Sequence, residues 1–217
     1  MDAKVTGEEE RPATRIQREN REVILEAALK AFSGHGFRGT TIDEIARGAG
    51  MSKTNLLYYF RRKEDVYRAV LERTLDEWLA PLEALDPEGD PVEELRRYIT
   101  LKLRMSRRTP EASRLFANEI LSGAPVIREA LETRLRGLVQ KKAAVIRGWV
   151  GTGRLAPIDP VHLIFLIWAT TQHYADFAPQ IRAILGDQID KPGFDDQAAQ
   201  AVLTIVLSGI RPRPEAG

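Results

Sequence analysis

The chain has 217 residues, of which 43% are hydrophobic and 29% are charged, and its formal net charge is +1. These values are typical of a globular chain that forms one domain or two modest ones. The sequence contains no cysteine, which excludes a disulfide framework, a thiolate metal site and a cysteine nucleophile.

We expect neither a metal, nor a cofactor, nor a membrane segment. The histidines, His35, His162 and His173, lack the spacing of paired metal ligands. The first ten residues end in an acidic run and lack the apolar core of a signal peptide. The uncharged stretch Pro160–Ala175 is shorter than the ~20 apolar residues that a membrane span needs. These features predict a cytoplasmic protein.

Positive charge is concentrated near the N-terminus. Between Arg11 and Arg73 there are 13 Lys or Arg residues against 8 Asp or Glu residues. Such a bias suits contact with phosphate groups, although a solvated basic surface would have the same composition.

Periodicity and turn residues predict an all-α chain. Residues 1–14 are polar and are predicted to form a disordered tail. Apolar residues recur at helical spacing from Arg15 to Phe32, and glycines within residues 33–36 are expected to end this helix. Two short helices follow. Later helices are predicted at Lys63–Leu82, Val92–Arg108, Pro110–Ser122, Pro125–Gly151, Pro160–Gln180 and Asp195–Gly209. No stretch alternates with period two, so no sheet is expected.

The segment from Thr40 to Phe60 predicts a helix-turn-helix. Thr41 followed by Glu44 forms the pattern of a capping box at the start of the first short helix. Gly50 stands where a sharp turn requires a positive φ, and Ser52 can cap the second helix. Two short helices joined in this way place the second one in the major groove of DNA.

Polar side chains on the second helix are candidates for reading DNA. Thr and Asn can bond base edges, while Lys and Tyr suit phosphates. The predicted DNA-binding residues are Thr41, Lys53, Thr54, Asn55, Tyr58, Tyr59 and Lys63. An ordinary helical hairpin with a polar outer face is the alternative from the pattern alone.

Residues 22–71 resemble the TetR-family DNA-binding domain. The resemblance lies in Phe37-x-Gly39-Thr40-Thr41, Ile45-Ala46, Gly50-x-Ser52, Leu56-x-x-Tyr59-Phe60 and Lys63-Glu64. It implies a homodimer that binds an inverted-repeat operator in double-stranded DNA and has a helical effector domain. Leu57 departs from the pattern, because many relatives have an aromatic phosphate contact there, which gives Tyr58 more of that role. The resulting domains are residues 15–62 for DNA binding, residues 63–210 for effector binding and dimerisation, and a tail over residues 211–217.

The C-terminal part resembles the pyrimidine-utilisation (Rut) branch of these regulators. The most similar stretches are Leu155–Pro160 and Ile167–Gln180. This resemblance implies a free pyrimidine base, uracil or thymine, as the effector.

The residues of the predicted helix at Pro160 are compatible with such a ligand. Trp168, Thr171 and Gln172 share one stripe, a primary amide complements an imide edge, and Trp78 could supply a second aromatic wall. Alternatively, both indoles belong to the core and Gln172 bonds backbone. Tyr174, Arg114 and Glu119 are further candidates for the ligand site, the last two equally compatible with a surface ion pair. The apolar runs Leu163–Ile167 and Ala201–Ile210 are the predicted dimer surfaces.

Three functions compete at this stage. The first is a repressor that a ligand releases from DNA, with either a pyrimidine or another small molecule as effector. The second is an enzyme, but no nucleophile elbow, phosphate loop, metal-ligand pair or acid–base constellation is present, so no catalytic residue is assigned. The third is a constitutive DNA-binding protein without an effector, against which the near-neutral total charge argues.

Overall fold

The computed structural model describes residues 14–212, and in this range the chain forms helices and no strand. The predicted all-α fold class is confirmed. The helices are α1 (Arg15–Gly39), α2 (Ile42–Gly48), α3 (Lys53–Tyr59), α4 (Lys63–Glu83), α5 (Pro91–Arg108), α6 (Pro110–Leu121), α7 (Arg128–Ala130), α8 (Arg136–Gly151), α9 (Pro160–Asp176), α10 (Ala178–Leu185) and α11 (Phe194–Ile210). The predicted tails, residues 1–14 and 211–217, lie almost entirely outside the described residues.

The chain consists of two compact units, and the boundary between them lies between Tyr67 and Arg68, inside α4. The predicted domain boundary after residue 62 stays a prediction, since α4 belongs to both units. None of the helices in residues 14–212 is both long and apolar enough to cross a membrane.

The N-terminal unit begins with a fully formed cap. The Thr14 hydroxyl accepts from the Gln17 amide nitrogen, and the Gln17 side chain accepts in return from the Thr14 backbone. Helix α1 is interrupted at Gly36, whose φ of 68° lies in the left-handed region that glycine adopts without strain. The predicted helix end at residues 33–36 therefore corresponds to a kink, after which helical turns continue to Gly39.

The C-terminal unit is organised by the packing of α5 against α9 and α11 and of α8 against α9. Proline occupies the first turn of α5 and α9, where it costs no hydrogen bond, and Asp90 and Asp159 cap these helices. The fully buried side chains of this core include Leu82, Leu95, Tyr98, Ile99, Ile146 and Ile164.

Two predicted helices differ from the structure. The helix predicted at Pro125–Gly151 starts only at Arg128 and contains a π-helical turn over Leu131–Leu135 before α8. Its start is displaced because the Glu119 carboxylate accepts from the Val126 amide nitrogen, 2.7 Å away, and holds the preceding loop. The helix predicted at Pro160–Gln180 ends at Asp176. A second helix, α10, starts at Ala178 within the predicted range and continues beyond it, and a 3₁₀ turn (Gly186–Asp190) follows where no helix is predicted.

Candidate DNA interface and effector site

Helices α2 and α3 are started by the residues that the sequence pattern indicates. The Thr41 hydroxyl accepts from the Glu44 amide nitrogen at 3.2 Å, and the Ser52 hydroxyl accepts from the Asn55 amide nitrogen at 3.2 Å. Gly50 has a φ of 67°, as the turn requires. Only half of the predicted capping box is present, because the Glu44 carboxylate lies 2.7 Å from His35 Nδ1 instead.

Helix α3 is anchored on one face and exposed on the other. Leu56 is completely buried, Phe60 is buried directly after the helix, and the Arg21 guanidinium lies 4.4 Å from the Phe60 ring centre. Thr54 and Asn55 are exposed. The helix can therefore present these two side chains to base edges without losing its packing.

Three of the predicted DNA-binding side chains on α3 have partners on α1 or α2. The Lys53 ammonium lies 2.8 Å from an Asp43 oxygen on α2. The Tyr58 hydroxyl, on a side chain 71% exposed, accepts from Gln17 at 3.3 Å, and the half-buried Tyr59 hydroxyl accepts from Asn20 at 2.8 Å. These bonds connect α3 to α1 and α2 and fix how the recognition helix is presented.

Lys63 is held more firmly than a free phosphate contact would be. Its ammonium donates to the carbonyl oxygens of Phe37 and Thr40, both at 2.8 Å, and lies 4.5 Å from the Phe37 ring centre. It thereby satisfies carbonyls at the end of α1, which have no partner within that helix. A contact of Lys63 with DNA stays a prediction, and its visible role is to position the corner between α1 and α2.

In the C-terminal unit, Trp168 of α9 contacts α5 through its polar edge. The indole Nε1 donates to the hydroxyl of Tyr98 over 2.6 Å. Trp168 is half-buried, whereas Tyr98 is fully buried, and burial raises the pKa of its hydroxyl. The Trp168 ring is thus held in one orientation at the crossing of α5 and α9.

Lys102 stands one helical turn beyond Tyr98 and was not among the predicted site residues. It is only 2% exposed, and its ammonium lies 4.5 Å from the ring centre of the buried Trp78. The two predicted indoles therefore contact neighbouring positions on the same face of α5. The sequence contained a signal for Lys102, because Leu95, Tyr98, Ile99 and Leu103 mark the same apolar face.

The Lys102 ammonium has no hydrogen-bond acceptor among residues 14–212. Within residues 14–212, every fully enclosed side-chain nitrogen or oxygen has a hydrogen-bond partner. The hydrogen bonds of these residues include none from Lys102, whose ammonium lies against the Trp78 ring. A cation in such a place can donate to an acceptor on a ligand.

The carboxylate of Asp176 in α9 interacts electrostatically with Lys102. Burial raises the pKa of its carboxyl, while the Ser113 hydroxyl, which donates to it, lowers that pKa. Burial also lowers the pKa of Lys102 to about 8, and the Asp176 carboxylate opposes that shift. The interior around α5, α6 and α9 therefore has a polar part next to its aromatic walls.

Gln172 and Thr171 are neighbours with different surroundings. The buried Thr171 hydroxyl donates to the Ile167 carbonyl oxygen at 2.7 Å within its own helix, so its donor is already used. Gln172 is half-buried, and among the described residues nothing bonds its side-chain amide. The alternative in which Gln172 bonds protein backbone is therefore not seen, and its amide is available to a ligand.

The remaining candidates lie elsewhere. Glu119 is 4% exposed and accepts from the Val126 and Ile127 amide nitrogens, so it holds the loop after α6 and is not a surface residue. Arg114 and Tyr174 line a separate cleft of about 520 Å³, whose lining includes none of Trp78, Trp168 and Gln172.

A capped recognition helix after a glycine turn, followed by a helical unit with a polar and aromatic interior, defines a helix-turn-helix regulator with an effector domain. Residues 24–70 match the tetR family of bacterial regulatory proteins, and residues 71–213 match the C-terminal region of YcdC-like proteins. The chain belongs to the TetR family.

Relatives and solved structures agree with this assignment. The chain is 52% identical over 193 residues to the HTH-type transcriptional regulator RutR of Escherichia coli K12. This match covers 89% of this chain and 91% of that protein. The crystal structure of the putative transcriptional regulator SCO4942 from Streptomyces coelicolor is 30% identical and superposes with a TM-score of 0.71 over 90% of this chain and 99% of that one. A TetR family transcription regulator from Marinobacter aquaeolei VT8, 20% identical, shares the fold, with a TM-score of 0.71 over 92% of this chain and all of that one.

Regulators of this family bind operator DNA, dimerise and respond to small-molecule effectors. The chain is a ligand-responsive transcriptional regulator of this type.

Proposed function

We propose that this regulator is a repressor that uracil or thymine releases from a palindromic operator. The observation that carries the proposal is the Gln172 side chain, a half-buried amide one turn from Trp168 without a protein partner among the described residues. An amide offers an acceptor and two donors side by side, which complements the donor and flanking carbonyl of a pyrimidine imide.

Other side chains near α5 support a pyrimidine ligand. The Gln172 amide can pair with the ring N3–H and one of the two ring carbonyls. The Lys102 ammonium can donate to the other carbonyl. Trp78 and Trp168 offer flat apolar surfaces for the ring faces, and the bond from Trp168 to Tyr98 holds one of them in place. The ligand would thus meet few polar groups in a mostly apolar site, as is usual for small molecules.

The resemblance to the pyrimidine-utilisation branch supports the same ligand. The stretch Ile167–Gln180, which carries that resemblance, includes the second half of α9 with Trp168 and Gln172. The 52% identity to RutR extends over both units. The proposal assigns no catalytic step to the protein, and release follows if the base binds the DNA-free conformation more tightly than the DNA-bound one.

The test begins with duplexes that the full-length protein selects from a random library, since these define its operator. Fluorescence anisotropy of a selected duplex is then followed during addition of uracil, thymine, cytosine or adenine. Release by uracil or thymine but not by cytosine or adenine supports the proposal. Release by none of the four, with another compound active, leaves a TetR-type repressor with a different effector.

A further inference from the structure

The cleft of about 520 Å³ in the C-terminal unit differs chemically from the proposed effector site. It lies between the end of α5, the start of α6 and the segment from α9 to α11. Its walls combine apolar side chains, among them Ile181 and Phe194, with four arginines, Arg104, Arg107, Arg108 and Arg114.

The basic side chains of the cleft outnumber its acidic ones. Asp195 is the acidic residue in the lining, and it forms an ion pair with Arg107. Arg104, Arg108 and Arg114 have no ion pair within residues 14–212, and the Asp176 carboxylate acts on Arg114 and Lys102 only at longer range. Arg182 of α10, near this region, is paired with Asp190. Three guanidinium groups thus remain to attract a negative charge.

Backbone groups add to this positive potential. The first residues of three helices, Pro110 of α6, Ala178 of α10 and Phe194 of α11, line the cleft, and none of these helices has a side-chain cap. Helix N-termini favour anions through their free N–H groups and dipoles. Asp195 neutralises the start of α11 and Glu111 lies in the first turn of α6, so α10 supplies most of this effect.

Stabilisation of the C-terminus of α5 explains two of the four arginines of the cleft but not the other two. Arg107 and Arg108 stand in the last turn of α5, where cations stabilise a helix C-terminus. Arg104 is one turn further in, and the half-buried Arg114 belongs to α6. Converging arginines from two helices around an apolar cavity indicate a ligand in addition to helix stabilisation.

We propose that this cleft is a second ligand site, which binds an organic oxyanion, a carboxylate or a phosphate ester, attached to an apolar body. The arginines bond the oxyanion, since the guanidinium fork matches carboxylate and phosphate geometry. The body of the ligand packs between Ile181 and Phe194. Tyr174, whose ring centre is 6.2 Å from that of Phe194, supplies an aromatic wall.

The experiment is calorimetric titration of the full-length protein with decanoate, 1-naphthyl phosphate, inorganic phosphate and 1-naphthol. At least one of the two amphipathic anions should bind once per chain, more tightly than both inorganic phosphate and naphthol. The double variant Arg104→Gln/Arg108→Gln should weaken this binding at least about tenfold, because it removes charge-assisted hydrogen bonds. Arg96→Gln is the control, since Arg96 is on the same helix, pairs with Glu93 and lies outside the cleft.

Thermal unfolding of each variant checks that the fold is intact, and a parallel uracil titration separates this proposal from the effector proposal. Uracil affinity should be the same in the double variant and in the wild type. The idea of a second site is overturned if neither amphipathic anion binds, if the double variant binds them like the wild type, or if uracil and the anion displace each other.

Discussion

Tyr98 of α5 and Trp168 of α9 are joined by a hydrogen bond in which the indole Nε1 donates to the hydroxyl over 2.6 Å. The tyrosine lies in the core to which α5, α8, α9 and α11 contribute, while the indole is only half-buried. Through this bond the core fixes the orientation of a ring that faces the proposed effector.

Tyr98→Phe should reduce the free energy of unfolding by about 1 kcal/mol, because the indole N–H loses its acceptor. Urea denaturation at one fixed protein concentration measures the change. Tyr58→Phe is the control, since its hydroxyl is on a side chain that is 71% exposed, and no loss is expected there. Equal stability of the Tyr98 variant and the wild type would show that the bond does not hold the two helices.

Lys102→Met should change how stability depends on pH. Burial lowers the pKa of Lys102 to about 8 from 10.5, so between these values the unfolded chain binds a proton that the folded chain has released. Wild-type stability therefore gains with rising pH over that window, by as much as roughly 3 kcal/mol from this group. At neutral pH the wild type carries the free-energy cost of a buried charge, which the methionine variant lacks. The variant should therefore be the more stable protein there, and its stability should not rise over that window.

The measurement is urea unfolding of both proteins at several pH values from 7 upward. The difference between them, which removes the contribution of all other groups, should shrink as the pH approaches 10. A constant difference would mean that Lys102 is not buried as a cation.

The sequence predicted the DNA-reading head well because its signals act over a few residues. Thr41, Gly50 and Ser52 each specify the conformation of their own turn or cap, and the structure has them in these roles. The partners of Lys63 and Tyr59 could not be predicted in this way, because they lie 23 to 39 positions away in the chain.

The effector site was predicted less completely, for a related reason. Helical spacing places Lys102 on the apolar face of α5, yet nothing local indicates that its ammonium meets Trp78 of α4. Glu119 shows the same limit, since its pairing with the loop at Val126 displaces a helix start that Pro125 suggested.

Lys63→Met should lower both stability and DNA affinity while leaving the salt dependence of DNA binding unchanged. Its ammonium is occupied by two carbonyl oxygens at 2.8 Å, so its removal costs roughly 2 kcal/mol of folding free energy and displaces the recognition helix. Arg61→Gln is the comparison, because Arg61 is exposed next to the recognition helix. Plots of log affinity against log salt should lose about one unit of slope for Arg61→Gln. The same loss for Lys63→Met would instead identify Lys63 as a phosphate contact.

Asn55→Ala should relax base preference without affecting the fold. Asn55 is exposed on α3, and an amide that pairs with adenine contributes about 1–3 kcal/mol of discrimination. Selection from a random duplex library with wild type and variant should give sites that differ at one position in each half-site. Glu72→Ala, outside the head, should select the wild-type sites, and identical sites for Asn55→Ala would exclude Asn55 from base reading.

The most direct test of the central claim is calorimetry of the full-length protein with uracil and 3-methyluracil. The two bases differ at N3, whose N–H in uracil is proposed to donate to the oxygen of the Gln172 amide. Wild-type protein should bind one uracil per subunit, and 3-methyluracil at least about tenfold more weakly, because its methyl group removes a buried hydrogen bond. Gln172→Leu should lose uracil binding and keep its affinity for operator DNA. Equal binding of the two bases, or no binding of uracil while another compound binds and releases the operator, would contradict the account.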